Sequence, residues 1–414
     1  MDKQWIGVVD LGTAKTCAIV AEVGDDKQAT VVGVGVIPTM GMYRGAVVDM
    51  DLVGESIRKA MDEAMAMSAT HVDGICVSVS GNHIRSEVAY GSIFLDGNAP
   101  EVTDADIDRV LQSAKKTVNA ADEQILHIIP NEFALDGAVG MRNPLGMTGK
   151  RLEVKANLVF GRTSLLQNLL KSIERAKFQA TGLVVQAVAV GEVVLTRKEK
   201  EDGIIVIDVG AGTTDIGVYG GGSLVHTSVI PMGGSDLTRD ISLGLKLSLD
   251  EAEKLKLDYG TLFRSVTDQA PPIILKVMGG QETRKISVST VTDIIEARVQ
   301  EIIDQCKDQL LKAELGDIIP KAIVLTGGTS HLKGFPEYLA RTMRVPVQIG
   351  MPHLPNGCIQ GLDNPESAAA VGLLRYGIRQ RFHVSRPLVR SDELNPGNGN
   401  FLSKIRRMWQ DFLH

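Results

Sequence analysis

Ile6-Gly-Val-Val-Asp10-Leu-Gly12-Thr13-Ala-Lys15-Thr16 is a stretch whose pattern returns later in the chain as Ile204-Ile-Val-Ile-Asp208-Val-Gly210-Ala-Gly212-Thr213-Thr214-Asp215. In each copy an apolar run typical of a β-strand ends at an aspartate. A small turn of Gly and Thr follows, and a second apolar run continues the chain. The repetition predicts a protein built from two related halves, each opening with the same strand–turn–strand unit.

The residue types in these turns are suited to binding phosphate. Glycine has no Cβ atom, so backbone N–H groups can approach an anion closely, while threonine adds a hydroxyl and Lys15 a positive charge. The candidate phosphate contacts are Gly12, Thr13, Ala14, Lys15, Thr16, Gly210, Ala211, Gly212, Thr213 and Thr214. The alternative is that both are ordinary hairpin turns, since Gly and Asp favour turns anyway.

A third turn favours phosphate binding over ordinary hairpins. Gly327, Gly328 and Thr329 follow a predicted buried strand at 321–326, so three similar turns occur in one chain. No G-x-x-x-x-G-K-[ST] pattern is present, which excludes a P-loop nucleotide hydrolase.

Three aspartates next to these turns are candidate magnesium residues. Asp10, Asp208 and Asp215 stand at the ends of the predicted strands, beside the glycines. Because Mg²⁺ keeps several of its waters in proteins, we expect these carboxylates to hold it through water.

Composition excludes several classes of protein. The 414 residues carry a net charge of −6, which argues against a nucleic-acid binder. No apolar run is long enough to span a bilayer, and the N-terminus has neither the basic nor the apolar region of a signal peptide. Cys17, Cys76, Cys306 and Cys358 form no CxxC pair, and we interpret them as reduced thiols of a cytosolic protein rather than a metal or redox site.

Periodicity along the chain predicts the order of its elements. A β-meander over 5–37 precedes a helix at 52–66 and a strand at 74–79, and a second meander covers 203–230. Residues 83–162 form a distinct block that we interpret as a small α+β insertion, with Thr103 capping its helix. Residues 197–202 are predicted to be a charged linker, and 292–315 a long helix. Asn364 and Pro365 open a last helix to about Tyr376, where Gly377 is expected to end it.

The last 31 residues, 384–414, differ in character from the rest of the chain. Residues 384–400 are polar and contain Pro and Gly, which is typical of a flexible tether. The apolar and basic residues of 401–414 alternate at helical period and predict an amphipathic helix that lies in a membrane interface. The residues assigned to the membrane are Phe401, Leu402, Lys404, Ile405, Arg406, Arg407, Met408, Trp409, Phe412 and Leu413. The alternative is a helix docked on the protein's own core or in a partner's groove.

The three turns resemble the phosphate-1, phosphate-2 and adenosine motifs of the actin/heat-shock-chaperone/sugar-kinase ATPase superfamily. Within it, the chain is more closely similar to the FtsA family of bacterial cell-division proteins. That resemblance rests on Leu126-His-Ile-Ile-Pro-Asn-Glu-Phe133, Arg142-Asn-Pro-Leu-Gly-Met147 and Asn364-Pro-Glu-Ser-Ala-Ala-Ala-Val-Gly372, and on the inserted block together with the terminal helix.

The resemblance implies an α/β, two-lobed actin-like ATPase fold. It has duplicated ribonuclease-H-like domains, an α+β insertion in the first lobe, and a C-terminal amphipathic helix. The implied units are subdomain 1A (1–82, 163–202 and 351–383), subdomain 1C (83–162), subdomain 2A (203–233 and 306–350), subdomain 2B (234–305), a linker (384–400) and the membrane-targeting helix (401–414).

The resemblance also implies a cleft holding ATP or ADP with Mg²⁺. Gly327, Gly328 and Thr329 would contact the ribose and α-phosphate, and Glu253 and Lys256 the adenosine. The alternative for Glu253 and Lys256 is a solvated helix face.

The catalytic candidates are Gln186 and Asp10. Gln186 stands where actin carries a glutamine that orients water and MreB-like proteins a glutamate. Glutamine is a poor base, so at most slow hydrolysis is expected, and the chain is not expected to be a metabolic enzyme. A surface polar residue is the alternative for Gln186.

The function implied by the family is an actin-like protein that polymerises on the cytoplasmic face of the cell membrane at the division site. It would tether FtsZ filaments there by binding the FtsZ C-terminal peptide on subdomain 2B, with Arg239, Lys285 and Arg298 as candidate contacts. Later division proteins would bind the 83–162 block. The competing interpretations are a small-molecule kinase, a chaperone-like ATPase, or another actin-like assembly adaptor.

Overall fold

A computed structural model gives the fold for most of the chain. It describes residues 4–24, 29–68, 70–97, 100–267, 270–276, 283–313, 315, 318–353 and 361–383. The predicted tether and amphipathic helix lie outside the described residues.

The first half of the chain alternates strands and helices. In chain order it contains β1 (Gln4–Leu11), β2 (Lys15–Val23), β3 (Ala29–Pro38), β4 (Met42–Tyr43), β5 (Ala46–Val47), α1 (Met50–Ser68), β6 (Gly74–Val79), β7 (Ile84–Phe94), α2 (Asp104–Lys115), β8 (Glu123–Leu135), β9 (Ala138–Met141), β10 (Arg151–Arg162), α3 (Thr163–Arg175), β11 (Gln179–Val185), α4 (Gln186–Val194) and α5 (Arg197–Asp202).

The second half begins with the repeated meander. It contains β12 (Ile204–Val209), β13 (Thr214–Gly220), β14 (Ser223–Ile230), α6 (Gly234–Leu245), α7 (Leu249–Tyr259), α8 (Arg264–Thr267), β15 (Ile273–Lys276), β16 (Thr283–Ile286), α9 (Val288–Lys312), β17 (Ala322–Thr326), a 3₁₀ turn (Gly328–His331), α10 (Phe335–Met343), β18 (Val347–Ile349), a second 3₁₀ turn (Pro365–Ser367) and α11 (Ala368–His383).

The first lobe is built on a five-stranded sheet in the order β11-β6-β1-β2-β3. β1 pairs antiparallel with β2, whereas β1, β6 and β11 run parallel. The carboxyl ends of parallel strands meet at one edge of a sheet. That edge therefore collects Asp10 from β1, Ser78 from β6 and Gln186 directly after β11.

The second lobe repeats this arrangement. β12 pairs antiparallel with β13 and parallel with β17, and Asp208 lies opposite Thr326 in the register. All six residues of β12 are buried, as its unbroken Ile and Val run requires of a central strand. The turn after β17 thus begins beside the turn after β12.

The inserted block contributes to the sheet of the second lobe. The nine-stranded sheet has the order β18-β17-β12-β13-β14-β7-β10-β8-β9, so β7 to β10 continue the strands of the second lobe. The junction is a single pair, Ser228 opposite Arg85. Each unit keeps its own hydrophobic core, around Ile19 in the first lobe, Ile207 in the second and Phe160 in the insertion.

Local rules explain the helix starts that agree with prediction. Thr103 caps α2 in a capping box, because its hydroxyl accepts from the Asp106 N–H while the Asp106 carboxylate accepts from the Thr103 N–H.

Cys17, Cys76 and Cys306 are buried free thiols, as predicted.

Three local predictions are wrong. Residues 197–202 form α5 instead of a linker, because Thr196 and Glu199 make a capping box that starts a helix. The long helix α9 begins at Val288, where the hydroxyl of Ser287 accepts from the N–H of Thr290. Gly377 does not end the last helix, which runs on to His383 as α11. A Cβ on Gly377 would lie 3.5 Å from Ile6 and 3.6 Å from Val8 of β1, which is ordinary contact distance, so this face of the helix packs on β1 as it continues past the glycine.

Candidate functional site

The turn after β1 holds the first group of predicted residues. The Gly12 N–H donates to the Lys15 carbonyl at 3.1 Å, and a Cβ on Gly12 would lie 2.8 Å from that oxygen. This tight turn leaves Thr13 and Lys15 at the cleft. The Thr13 hydroxyl accepts from the N–H of Gly45 at 3.3 Å, and Lys15 pairs with Glu366 at 3.1 Å.

The turn after β12 faces the first one across the cleft. The Gly210 N–H donates to the Thr213 carbonyl at 2.9 Å, so the chain reverses in the same way as at Gly12. A Cβ on Gly212 would lie 2.5 Å from the Thr13 hydroxyl oxygen. The two turns, one from each lobe, are therefore in direct contact.

The third turn is joined to the second. The Thr329 hydroxyl donates to the Gly210 carbonyl at 2.9 Å. Gly327 adopts a φ of +85°, and a Cβ there would overlap Oδ1 of Asp208. Only glycine fits this position, since other residues avoid positive φ and have no room beside the carboxylate.

Some predicted contacts are already engaged in the protein's own structure. The Thr16 hydroxyl bonds to that of Thr39 at 2.8 Å, and the Thr214 hydroxyl donates to the Met232 carbonyl at 2.9 Å. The carbonyls of Ala14 and Ala211 accept from the N–H groups of Thr39 and Ser235. These residues shape the turns, and their side chains are placed less directly for a ligand than those of Thr13 and Lys15.

Asp10, Asp208 and Asp215 are buried at the base of the cleft. Burial raises the pKa of Asp215 to about 8, with the charges of Asp208 and Asp10 adding to the effect. Burial likewise raises the pKa of Asp208 to about 6. The pKa of Asp10 is also raised by burial, against a hydrogen bond from Ser78. Carboxylates that repel one another in a buried site favour a bound cation.

The donor set suits a hydrated cation better than a directly chelated one. The described residues contain no group of three His, Cys, Asp or Glu side chains arranged to hold a metal ion. The three aspartates are nevertheless close enough for the charges of Asp208 and Asp10 to raise the pKa of Asp215. Mg²⁺ retains waters that can span such separations, so these residues fit it.

Gln186 reaches this cluster from the first lobe. Its Nε2 donates to Oδ2 of Asp208 at 2.8 Å, a bond that opposes the effect of burial on the Asp208 pKa. Since Gln186 is the first residue of α4, directly after β11, the strand end directs its side chain into the cleft. The alternative of a surface polar residue is therefore wrong.

Glu253 and Lys256 lie on α7 beside the third turn. Their side chains form an ion pair at 2.7 Å, and Lys256 also donates to the Gly234 carbonyl at 3.1 Å. The Lys256 side chain is 16% exposed, so it is folded against the start of α6, whereas that of Glu253 is 42% exposed. A freely solvated helix face does not describe Lys256.

Comparison with known sequences identifies the family of this chain. The family model for the cell division protein FtsA matches residues 205–372, and that for the SHS2 domain inserted in FTSA matches residues 81–160. The cell division protein FtsA of Neisseria meningitidis is 34% identical over 98% of this chain and 98% of its own length. The chain belongs to the FtsA family. FtsA of Escherichia coli K12 is 31% identical over 91% of each chain. The chain is thus an actin-like cell-division protein.

Solved structures agree with FtsA-family membership at the level of the fold. A PilM–PilN type IV pilus biogenesis complex matches 90% of this chain and 98% of that one, with a TM-score of 0.64 at 17% identity. MreB5 of Spiroplasma citri bound to AMPPNP matches 91% of this chain and 96% of that one, with a TM-score of 0.53 at 14% identity. The predicted two-lobed actin-like fold with an α+β insertion is confirmed. The predicted C-terminal helix lies outside the described residues.

Four residues of this FtsA-family cleft were missed by sequence reasoning. The Ser78 hydroxyl donates to Asp10 at 2.7 Å, and that of Ser80 donates to both oxygens of Asp215. The Val77-Ser78-Val79-Ser80 alternation at the end of a buried strand was the available signal. Arg44 of the first lobe pairs with Asp236 of the second at 2.6 Å, and nothing in the local sequence indicates this pair.

The basic residues predicted to bind a peptide differ in their surroundings. Arg298 is held by Asp240 at 2.6 Å and by Glu301 at 2.5 Å. Arg239 lies over the ring of Tyr43, and Lys285 is exposed on β16. Arg298 therefore stabilises the second lobe, whereas Arg239 and Lys285 are more accessible.

The membrane-assigned residues, from Phe401 to Leu413, lie outside the described part of this FtsA-family chain. Within the described part, the helices include none that is both long enough and apolar enough to cross a bilayer.

Proposed function

We propose that this chain binds ATP or ADP with Mg²⁺ in the cleft between its lobes. The observation that carries the proposal is the convergence of three glycine turns on three buried aspartates. Thr13 and Gly212 come from opposite lobes and lie in contact, so the two turns would present their donors to one phosphate group from neighbouring positions. A polyphosphate with its cation complements this combination of N–H donors, hydroxyls and carboxylates.

Each part of the nucleotide has candidate residues. The turns at 12–16 and 210–214 would hold the phosphates, and Asp10, Asp208 and Asp215 would hold Mg²⁺ through water. Gly327, Gly328 and Thr329 would contact the ribose and α-phosphate, and Glu253 and Lys256 the adenosine. The bound cation would neutralise phosphate charge, and its presence would relieve the repulsion among the aspartates.

Hydrolysis, if it occurs in this cleft, is expected to be slow. Gln186 can orient a water but is a poor base, and its amide already donates to Asp208. Asp10 is buried and accepts from Ser78, so it is placed to act on bound water through its carboxylate. Nucleotide state would then regulate assembly more than it would supply metabolic turnover.

Self-association and membrane attachment complete the proposal. The chain would polymerise, and the amphipathic helix at 401–414 would hold the filament on the cytoplasmic face of the membrane. One short interfacial helix binds weakly, so many copies along a filament would strengthen attachment. The division into subdomains 1A, 1C, 2A and 2B at the boundaries given above is part of this proposal.

The membrane-bound filament would tether FtsZ. The FtsZ C-terminal peptide would bind subdomain 2B, where Arg239 and Lys285 are the accessible candidates. Arg298 would first have to leave Asp240. Later division proteins would bind the 83–162 block at the division site.

Co-sedimentation with anionic liposomes tests the proposal. Full-length protein and a chain ending at residue 400 are compared with and without Mg-ATP and with and without FtsZ filaments. We expect only the full-length protein to pellet with liposomes and to carry FtsZ with it. Sedimentation of the truncated chain, or failure of the full-length chain in every condition, would contradict the anchor. ATP affinity measured in parallel should be equal for both chains.

A further inference from the structure

Glu366 is held at the cleft by a segment that contacts both lobes. It lies in the 3₁₀ turn Pro365–Ser367, directly before α11. The Pro365 carbonyl accepts from the Thr326 hydroxyl at 3.0 Å and from the Gly327 N–H at 3.3 Å. The position of Glu366 is therefore fixed relative to the third glycine turn of the second lobe.

The carboxylate of Glu366 reaches from this segment to the phosphate turn of the first lobe. Its Oε2 lies 3.1 Å from Nζ of Lys15 and 3.9 Å from where a Cβ on Gly328 would stand. It thus lies between the turn at 12–16 and the turn at 327–329. The side chains of Lys15 and Glu366 are 32% and 42% exposed, so a ligand entering the cleft can reach both.

Lys15 is the basic residue of the two phosphate turns, and its charge is already paired. The turn at 210–214 contains no lysine or arginine. Three buried aspartates lie nearby, so an anionic ligand depends on Lys15 and on its cation for charge compensation. A nucleotide phosphate that binds Lys15 would bring a second negative charge next to the carboxylate of Glu366 and repel it.

We propose that Glu366 competes with the nucleotide phosphates for Lys15, and so sets the affinity of the cleft for phosphorylated ligands. The inference rests on the proposed nucleotide binding. Exchange of one anion for the other would break the Lys15–Glu366 contact made by the 3₁₀ turn that directly precedes α11.

Binding measurements on Glu366→Gln test this competition. The variant keeps the size of the side chain and removes its charge, so Lys15 is freed. We expect Mg-ATP and Mg-ADP to bind about two- to five-fold more tightly, since exposed ion pairs are worth a few tenths to 1 kcal/mol. Adenosine, which has no phosphate, should bind with unchanged affinity.

Asp363→Asn is the matched control. It removes one negative charge from the same exposed segment and leaves the Lys15–Glu366 pair intact. An equal gain in both variants would mean that overall charge, not competition for Lys15, causes the effect. Glu366→Gln is also made in a Lys15→Met background, where the gain should disappear.

The outcomes separate this inference from the proposed function. If the wild type and Glu366→Gln both bind ATP with equal affinity, the competition is overturned and the proposed nucleotide site stands. A gain that persists in the Lys15→Met background does the same. Absence of ATP binding in both proteins overturns the proposed nucleotide site and the competition with it.

Discussion

Ser80 of the first lobe donates a hydrogen bond to Asp215 of the second, with its hydroxyl 2.8 and 2.7 Å from the two carboxylate oxygens. The bond crosses the cleft at its base and opposes the effect of burial on the Asp215 pKa. The hydroxyl of Ser80 is also 3.2 Å from that of Thr213. One small side chain thus links the two lobes and favours the charged state of a proposed magnesium residue.

Ser80→Ala should weaken Mg-ATP binding by about ten-fold, because a hydrogen bond to a charged group contributes roughly 1.5–3 kcal/mol. Without the bond, Asp215 is harder to ionise and the lobes lose a contact. Calorimetric titration at pH 7 would measure the change. Ser92→Ala, an exposed serine on β7, is the control and should bind as the wild type does. Equal affinity in both variants would mean that Asp215 does not need Ser80.

The contribution of Asp215 to stability without Mg²⁺ or nucleotide should fall as the pH rises from 6 to 8. The native pKa of Asp215 is about 8 and its unfolded value about 3.8, so the native state keeps a proton that the unfolded chain has lost. This contribution should decrease by up to about 1.4 kcal/mol per pH unit, and by less as the pH approaches 8. Burial lowers the pKa of His83, His127 and His226 to about 4, which adds a slope of opposite sign below pH 7, so the wild type is compared with Asp215→Asn. In urea unfolding at a series of pH values, the wild type should lose stability relative to Asp215→Asn as the pH rises, and a constant difference would assign the titration to another group.

Gly327→Ala should destabilise the protein by about 2 kcal/mol or more and abolish nucleotide binding. The new methyl group would require a residue other than glycine at positive φ and would overlap Asp208. Gly221→Ala is the control for a glycine at positive φ in open space, because Gly221 has a φ of +60° and nothing within 4 Å of the added Cβ. The control should lose about 1 kcal/mol from its backbone conformation alone. Thermal and urea unfolding distinguish the two costs, and equal losses would contradict the contact with Asp208.

Gln186→Ala should lower the rate of ATP hydrolysis by about ten-fold or more while ATP still binds. The variant removes the amide proposed to orient water and also the donor to Asp208. Single-turnover phosphate release and equilibrium binding would be measured on the same preparation. Gln179→Ala is the control. It removes a glutamine from the exposed start of β11, the strand that leads into Gln186. Unchanged hydrolysis would remove Gln186 from the proposed catalytic group.

Trp409→Glu with Phe412→Glu should reduce liposome binding by more than about ten-fold, because two apolar anchors become charges that resist burial. The control pair, Ser403→Glu with Gln410→Glu, adds the same charge to the polar face. It should weaken binding less, and only at low salt. Similar losses in both pairs would indicate a purely electrostatic contact instead of an inserted apolar face.

The elements of the cleft were predictable where sequence neighbours determine them. Asp10 and Asp208 end apolar runs typical of buried strands, and the turns after them contain the glycines that tight reversal requires. Their repetition predicted two related halves, whereas the fold class followed from the resemblance of the turns to the actin/heat-shock-chaperone/sugar-kinase superfamily. Thr103 and its capping box were likewise readable within four residues.

The residues that were missed depend on distant parts of the chain. Ser80 meets Asp215, and Arg44 meets Asp236, only after both lobes have folded and closed. Gly377 resembles a helix end in the sequence, but contact with β1 favours continuation of the helix. Tertiary packing determines these contacts and this helix end, and a local sequence pattern carries no information about it.

The junction of the insertion with the second lobe has a mechanical consequence. The chain enters and leaves the insertion through β6 and α3 of the first lobe, yet β7 is hydrogen-bonded to β14 of the second. Around this junction, the Ser86 hydroxyl donates to the Thr227 carbonyl at 2.9 Å, and Asn131 donates to the Ser223 hydroxyl at 2.8 Å. The insertion is thus attached to both lobes. Any change in the angle between them must strain, slide or break this short seam, so a protein bound to the insertion would experience cleft opening as a displacement.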